Sequence, residues 1–395
     1  MFMRYLFIRI GEKCICHHRT IFVDVKKHGR QYIAVAFKKE NMTIDKLFTF
    51  GVIADVQHAN VDNRMNHHKT QTRYYRAAIE HLKDAISAWN EKKVDFVVQL
   101  GDIIDGISRR QGHRDNDIKN LIDVLKRFKS TGLPIYKNDE GVYEMVKEGH
   151  DSATEKVPYI CNLWGNHEFY NFPREWLWNS PLNTFINHSK TDLLKAGNSI
   201  KDIEEKHGYY YSFVYHGYRV IALDSYDLST ISRPGATVLY VKAMSFLKSI
   251  NTNSDLNEPP RNNANIVAWN GGLSNTQLSW LHNELAVATT NKEKVIILSH
   301  ISIHPRAAHK TALLWNHKEV LAMINAFDCV VACFTGHDHD GGYYHDTVNN
   351  IHHVTFEGAI ERPADTNAYG VVNVYEDRLE IEGYGVVKDR VLQFC

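Results

Sequence analysis

The chain has 395 residues, 44% hydrophobic and 23% charged, a globular composition long enough for one large α/β domain or two ordinary ones. Its 46 basic residues balance 46 acidic ones, so no net field marks nucleic acid or a membrane surface as partner. Its 6 cysteines are too few and scattered for a disulfide framework, and no stretch approaches the roughly 18 apolar residues of a membrane span.

The apolar N-terminus is interrupted by Arg4 and Arg9 and followed by no small-residue cleavage site, a poor signal peptide, so a reducing, cytoplasmic setting is expected. Residues 1–45 read as an N-terminal extension, with a hairpin, an added sheet edge and no ordered structure all open. Within it, Cys14-Ile15-Cys16-His17-His18 is spaced too tightly for an ordinary zinc knuckle. Residues 47–54 form a continuous apolar strand, as expected where both sheet faces are covered, and end at Asp55-Val56-Gln57. Tyr75, Ile79, Leu82, Ile86 and Trp89 then line one face of a helix. A strand at 95–100 leads into Gly101-Asp102-Ile103-Ile104-Asp105-Gly106. A helix follows near 117–129, with Ile118, Leu121, Ile122 and Leu125 inward.

The polar stretch near 136–157 reads as a surface insertion. After it, a strand at 159–164 arrives at Gly165-Asn166-His167-Glu168. Strands at 210–215 and 219–223 flank the turn His216-Gly217-Tyr218, and a loop-rich section with Pro234, Pro259 and Pro260 follows. Ser274 and Gln277 form a capping box opening a helix whose buried stripe is Leu278, Leu281 and Leu285. Strands at 295–298 and 330–335 lead to Ser299-His300 and Gly336-His337-Asp338-His339. A hairpin turning at Glu376-Asp377 closes the chain. Strands alternating with helices and then more strands predict two mixed sheets with helices outside.

The five polar clusters stand where strands run out, and loops at strand ends of α/β sheets meet in one crevice. Their Asp, Asn, Gln and His side chains offer the oxygen and nitrogen donors that suit divalent metals. Alone, each has a plainer reading: a strand-end Asp or Asn is usually a turn former, and His300 could be a satisfied core histidine. In series they suffice for two adjoining metal sites, with the two oxygens of Asp102 able to bridge two cations. His67-His68 and His352-His353 read as ordinary surface or packing residues.

In this order the clusters resemble the calcineurin-like metallophosphoesterase superfamily, with its D-x-H, G-D-x-x-D, G-N-H-[ED], late H and G-H-x-H pattern, over roughly residues 47–385. Gln57 stands where most members carry His. With Trp164 to Phe172, Trp269-Asn270-Gly271-Gly272 and Asp340-Gly341-Gly342, it narrows the resemblance to the manganese-dependent members that cleave the pyrophosphate of ADP-ribose and CDP-alcohols.

The resemblance implies a four-layer α/β sandwich, two mixed sheets flanked by helices, spanning 46–395. It also implies a dinuclear centre that activates water to attack phosphorus. One metal would take Asp55, Gln57, Asp102 and His339, and the other Asp102, Asn166, His300 and His337. His167 would stabilise or protonate the leaving oxygen, oriented by Asp105. Read from the residues, His58, Phe169, Tyr170, Asn270 and Gly271 are candidate substrate contacts; Asn270-Gly271-Gly272 reads also as a plain turn, and Tyr74, Tyr75, Trp164, Phe169 and Tyr170 are either core residues or base-stacking platforms. Gln57 offers a harder, weaker donor than imidazole, favouring Mn²⁺ over Zn²⁺, with Mg²⁺, or Zn²⁺ or Fe in one site, as alternatives. A monomer acting on nucleoside diphosphate conjugates is expected. The alternatives are a cyclic-nucleotide phosphodiesterase, a phosphoprotein phosphatase, or a metal-binding scaffold without activity. A purple acid phosphatase is excluded, since it would need Tyr where Asp105 stands.

Overall fold

Two six-stranded sheets carry the molecule in this computed structural model. It describes residues 45–66, 69–129, 159–184, 208–235 and 237–394, plus the backbone of strands Arg19–Lys27, Arg30–Lys38, Leu133–Lys137, Tyr143–Met145 and Glu155–Val157. The first large sheet contains β1 (Phe48–Ile53), β2 (Phe96–Gln99) and β3 (Ile160–Asn162). The second contains β4 (Tyr211–Tyr215), β5 (Tyr218–Ala222), β6 (Lys294–Ser299), β7 (Val330–Thr335), β8 (Gly342–Asp346) and β9 (Ile351–Thr355). Strands β10 (Ala368–Val374), β11 (Arg378–Gly385) and β12 (Arg390–Gln393) return to the first sheet. The spatial orders are β3-β2-β1-β10-β11-β12 and β4-β5-β6-β7-β9-β8.

Parallel pairing takes one side of the first sheet, β3–β2–β1, and the middle of the second, β5–β6–β7–β9. These strands are the apolar runs, and every residue of β1, β2 and β7 is buried. Aromatic rings fill the space between the sheets, Phe96 lying edge-on to Phe213 at 5.5 Å, Phe48 to Tyr218 at 5.7 Å, and Phe50 6.2 Å from Phe334.

Helices cover the outside: α1 (Tyr75–Lys92), α2 (Ile107–Arg110), α3 (Arg114–Leu125), α4 (Asn166–Asn171), α5 (Arg174–Asn179), α6 (Val238–Ile250), α7 (Asn275–Asn291) and α8 (His317–Ile324). On α1 the five periodic positions are all buried. Its Trp89 Nε1 donates to Gly370 O at 3.0 Å, and a Cβ at Gly51 would run into the same indole, so this helix needs glycine beneath it. α7 buries Leu278, Leu281 and Leu285 as expected, and Ser274 Oγ accepts from Gln277 N at 3.2 Å. The capping box is only half made. The Gln277 amide turns inward instead, taking a bond from Asp224 N and giving one to Asp224 O.

The section read as loop-rich contains α6, and Tyr218 belongs to β5 rather than to the turn, which His216 and Gly217 form with φ of 47° and 76°. Strands Arg19–Lys27 and Arg30–Lys38 pair antiparallel as a sheet of their own, and so do the three strands between 133 and 157. Residues 14–18 and His67-His68 lie outside the described residues. No helix among the described residues is long and apolar enough to cross a membrane.

Register decides where the polar clusters emerge. Ile53 pairs with Gln99 and Gln99 with Asn162, so β1, β2 and β3 end level; Ser299 likewise pairs with Thr335 across β6 and β7. All five clusters therefore leave the sheets along one edge.

Candidate metal centre

The strand-end loops are built from backbone that side-chain-bearing residues rarely adopt. Asp55, Gln57, Asp102 and His337 have φ of 51°, 43°, 57° and 69°. Left-handed conformations at non-glycine residues cost roughly 1–3 kcal/mol each, so the surroundings must enforce them. Glu168 does so for Asp102. Its buried carboxylate accepts from Asp102 N at 2.8 Å, Ile103 N at 2.7 Å and Gly165 N at 2.6 Å, tying the loop after β2 to the start of α4. Asp102 Oδ1 returns the tie by accepting from His167 N at 2.8 Å, and Asp55 Oδ2 accepts from His337 N at 2.8 Å. Gly165 is required where it stands, because a Cβ there would collide with the Asp102 carboxylate and the His300 ring.

Three imidazoles face this framework, each with its outer nitrogen already bound. His300 Nδ1 lies 2.8 Å from Leu100 O, His337 Nε2 lies 2.8 Å from Asn270 Oδ1, and His339 Nδ1 lies 3.3 Å from Glu361 Oε1. Each of those partners is an acceptor, so the outer nitrogen carries a proton and the inner one is the nitrogen left for a metal to take. The inner nitrogens of His300 and His337 then face each other at 3.1 Å, with Asp102 Oδ2 3.5 Å from His300 Nε2. Asp102, His300 and His337 offer ligand atoms all within 4.8 Å of one another. A carboxylate and inward ring nitrogens gathered out of water need positive charge among them, a proton or a metal ion.

A second convergence adjoins the first. Gln57 Nε2 lies 3.5 Å from Asp55 Oδ1, 3.1 Å from Asp102 Oδ2 and 2.9 Å from His339 Nε2, while Gln57 Oε1 is buried without a partner. Here the amide nitrogen stands in for a cation. Turning the amide over, an assignment X-ray data rarely distinguish, presents the oxygen to the same three groups. Two carboxylates, an imidazole lone pair and an amide oxygen form a hard donor set for a divalent metal. Asn166 Oδ1, the remaining predicted ligand atom, accepts from Tyr226 OH at 3.1 Å. The residues present therefore fit two divalent ions sharing Asp102.

Electrostatics agree. Burial alone would push His300 and His339 down, yet Asp102 lifts His300 to about 9, and Asp55, with Glu361, lifts His339 to about 9. His337 has no carboxylate of its own at contact distance; burial and the neighbouring His300 push it down to about 3. Burial would raise the Asp102 carboxyl, but His300 and His167 hold it below the usual range. The histidines that feel a carboxylate behave as though positive charge belongs there.

His167 lies apart from this ring of donors. Its Nδ1 has two competing neighbours: Gly106 N at 2.9 Å, which needs a bare nitrogen, and Asp105 Oδ2 at 3.2 Å, which needs a proton on it. Burial disfavours the imidazolium, but Asp105 and Asp102 outweigh it and raise His167 above its ordinary value. The protonated arrangement, with Nδ1–H on Asp105, is thus the favoured one, and Nε2 lies 3.9 Å from Asp102 Oδ2.

The centre opens into a cleft of about 1480 Å³, lined by Gln57, Asp102, Asn166, His167, His337 and His339, with Phe169 and Tyr170 on one wall. Asp55, Asp105 and His300 lie beneath it, at 0%, 1% and 0% exposure. Three expected substrate contacts are placed elsewhere. His58 is buried behind the ligand loop, with Nδ1 2.9 Å from Tyr75 O and Nε2 4.0 Å from Asp117. Asn270 is fully buried and spends its amide on Asn265 O, Thr311 O and His337, so it orients an imidazole rather than a substrate. Gly271 packs against Ser225 O. Tyr75 and Trp164 are core residues, Trp164 stacking on Tyr209 at 3.5 Å, whereas Trp269 lines the cleft beside His337. Glu361, Tyr226 and the orienting role of Asn270 carried no local signal. Glu168 stood in a cluster without an assigned part.

The calcineurin-like phosphoesterase sequence profile matches residues 48–341. The chain is 37% identical over 360 residues to the manganese-dependent ADP-ribose/CDP-alcohol diphosphatase of Homo sapiens, covering 89% of this chain and 94% of that protein. With the Xenopus laevis protein of the same description it shares 36% over 351 residues, 88% of this chain and 90% of the other. Among solved structures it is similar to a dimetal phosphatase from Danio rerio, with TM-score 0.75 and 34% identity over 89% of this chain and 100% of that one.

Proposed function

The chain belongs to the calcineurin-like phosphoesterase family, and from that premise we propose that it hydrolyses the pyrophosphate bond of ADP-ribose and of CDP-alcohols such as CDP-choline. Water would add to one phosphorus and the bridging P–O bond would break, giving AMP and ribose 5-phosphate, or CMP and phosphocholine. The observation that carries the metal-dependent part is the convergence of the inner nitrogens of His300 and His337, 3.1 Å apart, on Asp102. The substrate class rests on the relatives, each covered over most of its length, together with Gln57.

Asp55, Gln57, Asp102 and His339 would hold one divalent ion, and Asp102, Asn166, His300 and His337 the other, Mn²⁺ being the metal that the relatives' descriptions and the hard Gln57 donor favour. Bound there, the two ions would supply an acidified water and offset negative charge on the phosphates. The chain's own part is positional. Leu100, Asn270 and Glu361 fix which imidazole nitrogen faces inward. Protonated His167, held on Asp105, would give its Nε2 proton to the departing phosphate oxygen. The same reading takes 46–395 as the metallophosphoesterase domain, 1–45 as an extension, and the enzyme as a cytoplasmic monomer acting on small molecules.

The test is turnover of ADP-ribose, CDP-choline, a cyclic nucleotide and a phosphopeptide, side by side, with and without Mn²⁺. Mn²⁺-dependent release of AMP and CMP is expected from the first two. Preference for either of the others would overturn the substrate assignment.

A further inference from the structure

The orienting carboxylates of the two working imidazoles are not independent. Asp105 Oδ2 lies 3.2 Å from His167 Nδ1, and Glu361 Oε1 lies 3.3 Å from His339 Nδ1. Between them stands one guanidinium: Arg73 Nη1 is 3.3 Å from Asp105 Oδ2, and Arg73 Nε is 3.9 Å from Glu361 Oε1. The two carboxylate side chains are 2% and 4% exposed, and that of Arg73 is 21% exposed, at the wall of the cleft. Two buried carboxylates this near each other need a cation, and a planar fork can serve both where a point charge serves one.

Arg73 is itself held. It ends a short antiparallel pair, Arg64–Met65 with Thr72–Arg73, and polar contacts tie this segment to the site. Asn66 Nδ2 donates to Glu361 Oε1 at 3.3 Å, Gln71 Nε2 to Asp340 Oδ1 at 2.5 Å, and the following Tyr74 N to Ile360 O at 2.8 Å. None of these residues belongs to the five clusters, and nothing in the local pattern around Arg73 marks it.

We infer that Arg73 is a positioning residue whose forked guanidinium braces Asp105 and Glu361 together. One cation thereby sets both the imidazole that serves the leaving oxygen and the imidazole that faces the metal. The inference rests on the roles of His167 and His339 proposed above. Partners that orient a ligating histidine typically govern about 10–100-fold in metal affinity or activity.

The experiment is calorimetric titration of the full, chelator-treated chain with Mn²⁺ alone, alongside kcat and KM for ADP-ribose and for an unspecific aryl phosphodiester. Arg73→Gln should weaken Mn²⁺ binding and lower kcat, each about 10–100-fold, with KM little changed. Arg73→Lys should fall between that variant and the wild type, since an ammonium cannot fork. Glu361→Gln should weaken Mn²⁺ to a similar degree, and it carries the test if Arg73→Gln does not fold. In Mn²⁺ affinity the double variant should lose no more than the worse single one, because both act on the metal through His339. A rise in KM alone would make Arg73 a phosphate contact and overturn the inference. So would unchanged Mn²⁺ affinity, full additivity, or wild-type behaviour of Arg73→Lys. Failure of the wild type to cleave ADP-ribose would instead remove the substrate assignment and leave the Mn²⁺ titration standing as the test of Arg73.

Discussion

Two groups of buried histidines occupy neighbouring parts of the second sheet, and they behave oppositely. At the strand ends His300 and His339 touch carboxylates and are lifted to about 9. Around β8 and β9, His304, His317, His352 and His353 are buried with none in contact, Asp346 acting on His304 and His353 only from a distance. His317 and His352 are pushed down to about 4 and His353 to about 3, in each case chiefly by burial. His304 moves the same way. These rings are spent on packing instead: His353 lies 4.6 Å from His304, His304 stacks on Tyr344 at 4.3 Å, and His352 stacks on His345 at 4.0 Å. Desolvation opposes charge in both places; a carboxylate at contact distance reverses it. A histidine's chemistry is thus set by its second neighbour more than by its depth.

The largest effect should come from removing the carboxylate that defines the first group. Asp102 faces His300, His167 and Gln57 at once, so Asp102→Ala takes away the shared anion and leaves the imidazole lone pairs facing each other. We expect loss of turnover together with loss of bound Mn²⁺, read by metal analysis. Near-wild-type turnover would mean that the strand-end histidines are a packing cluster like the other.

A smaller effect sharpens the boundary within the first group. His167 pairs with Asp105 rather than with the convergent donors. General acid groups typically contribute about 10²–10⁴-fold, so His167→Ala should lower kcat by about that factor, with KM and metal content kept. Loss of metal in this variant would place His167 among the ligands.

The contrast between the two groups also explains what was legible in the sequence. Asp55, Asp102, Asn166, His300 and His337 were recognisable because their residue types recur at strand ends, and the sheet register brings those ends to one edge. Orienting partners were not. Glu361 ends a short 3-10 turn, and Tyr226 lies beyond β5, each reaching its histidine or asparagine only through the tertiary fold. His58 and Asn270 misled for the complementary reason: nearness in sequence to a ligand does not give nearness to the cleft. Helix α6 escaped because Val238 and Val241 are exposed, so its apolar positions do not form a single stripe. His352-His353, read as surface or packing residues, are packing residues, both only 2% exposed; two neutral imidazoles on one strand leave no pattern in hydropathy that would choose between those readings.

The second group supplies the gentlest test, through pH. Unfolded histidine takes up a proton near its ordinary value of 6.5, whereas His353 in the fold holds out to about 3. Between those values the unfolded chain binds more protons than the folded one. Stability contributed by this residue is therefore complete above about 6.5 and drains away as the pH falls. At pH 5 the loss for one such group is about 2 kcal/mol relative to neutral pH. Both ring nitrogens of His353 lack a hydrogen-bond partner, so an apolar side chain of similar size forfeits nothing polar. His353→Leu should match or exceed the wild type in stability at pH 7.5. Its advantage should widen by about 2 kcal/mol at pH 5, measured by denaturant unfolding without added Mn²⁺ so that metal loss does not enter. His317 remains in both chains and cancels in the difference. His304 and His352 do not, because their charges act on His353, and the widening therefore belongs to the three together. Parallel pH curves would show that His353 is as well served by its surroundings as the carboxylate-paired histidines are by theirs, and the contrast between the two groups would fail at its deepest member.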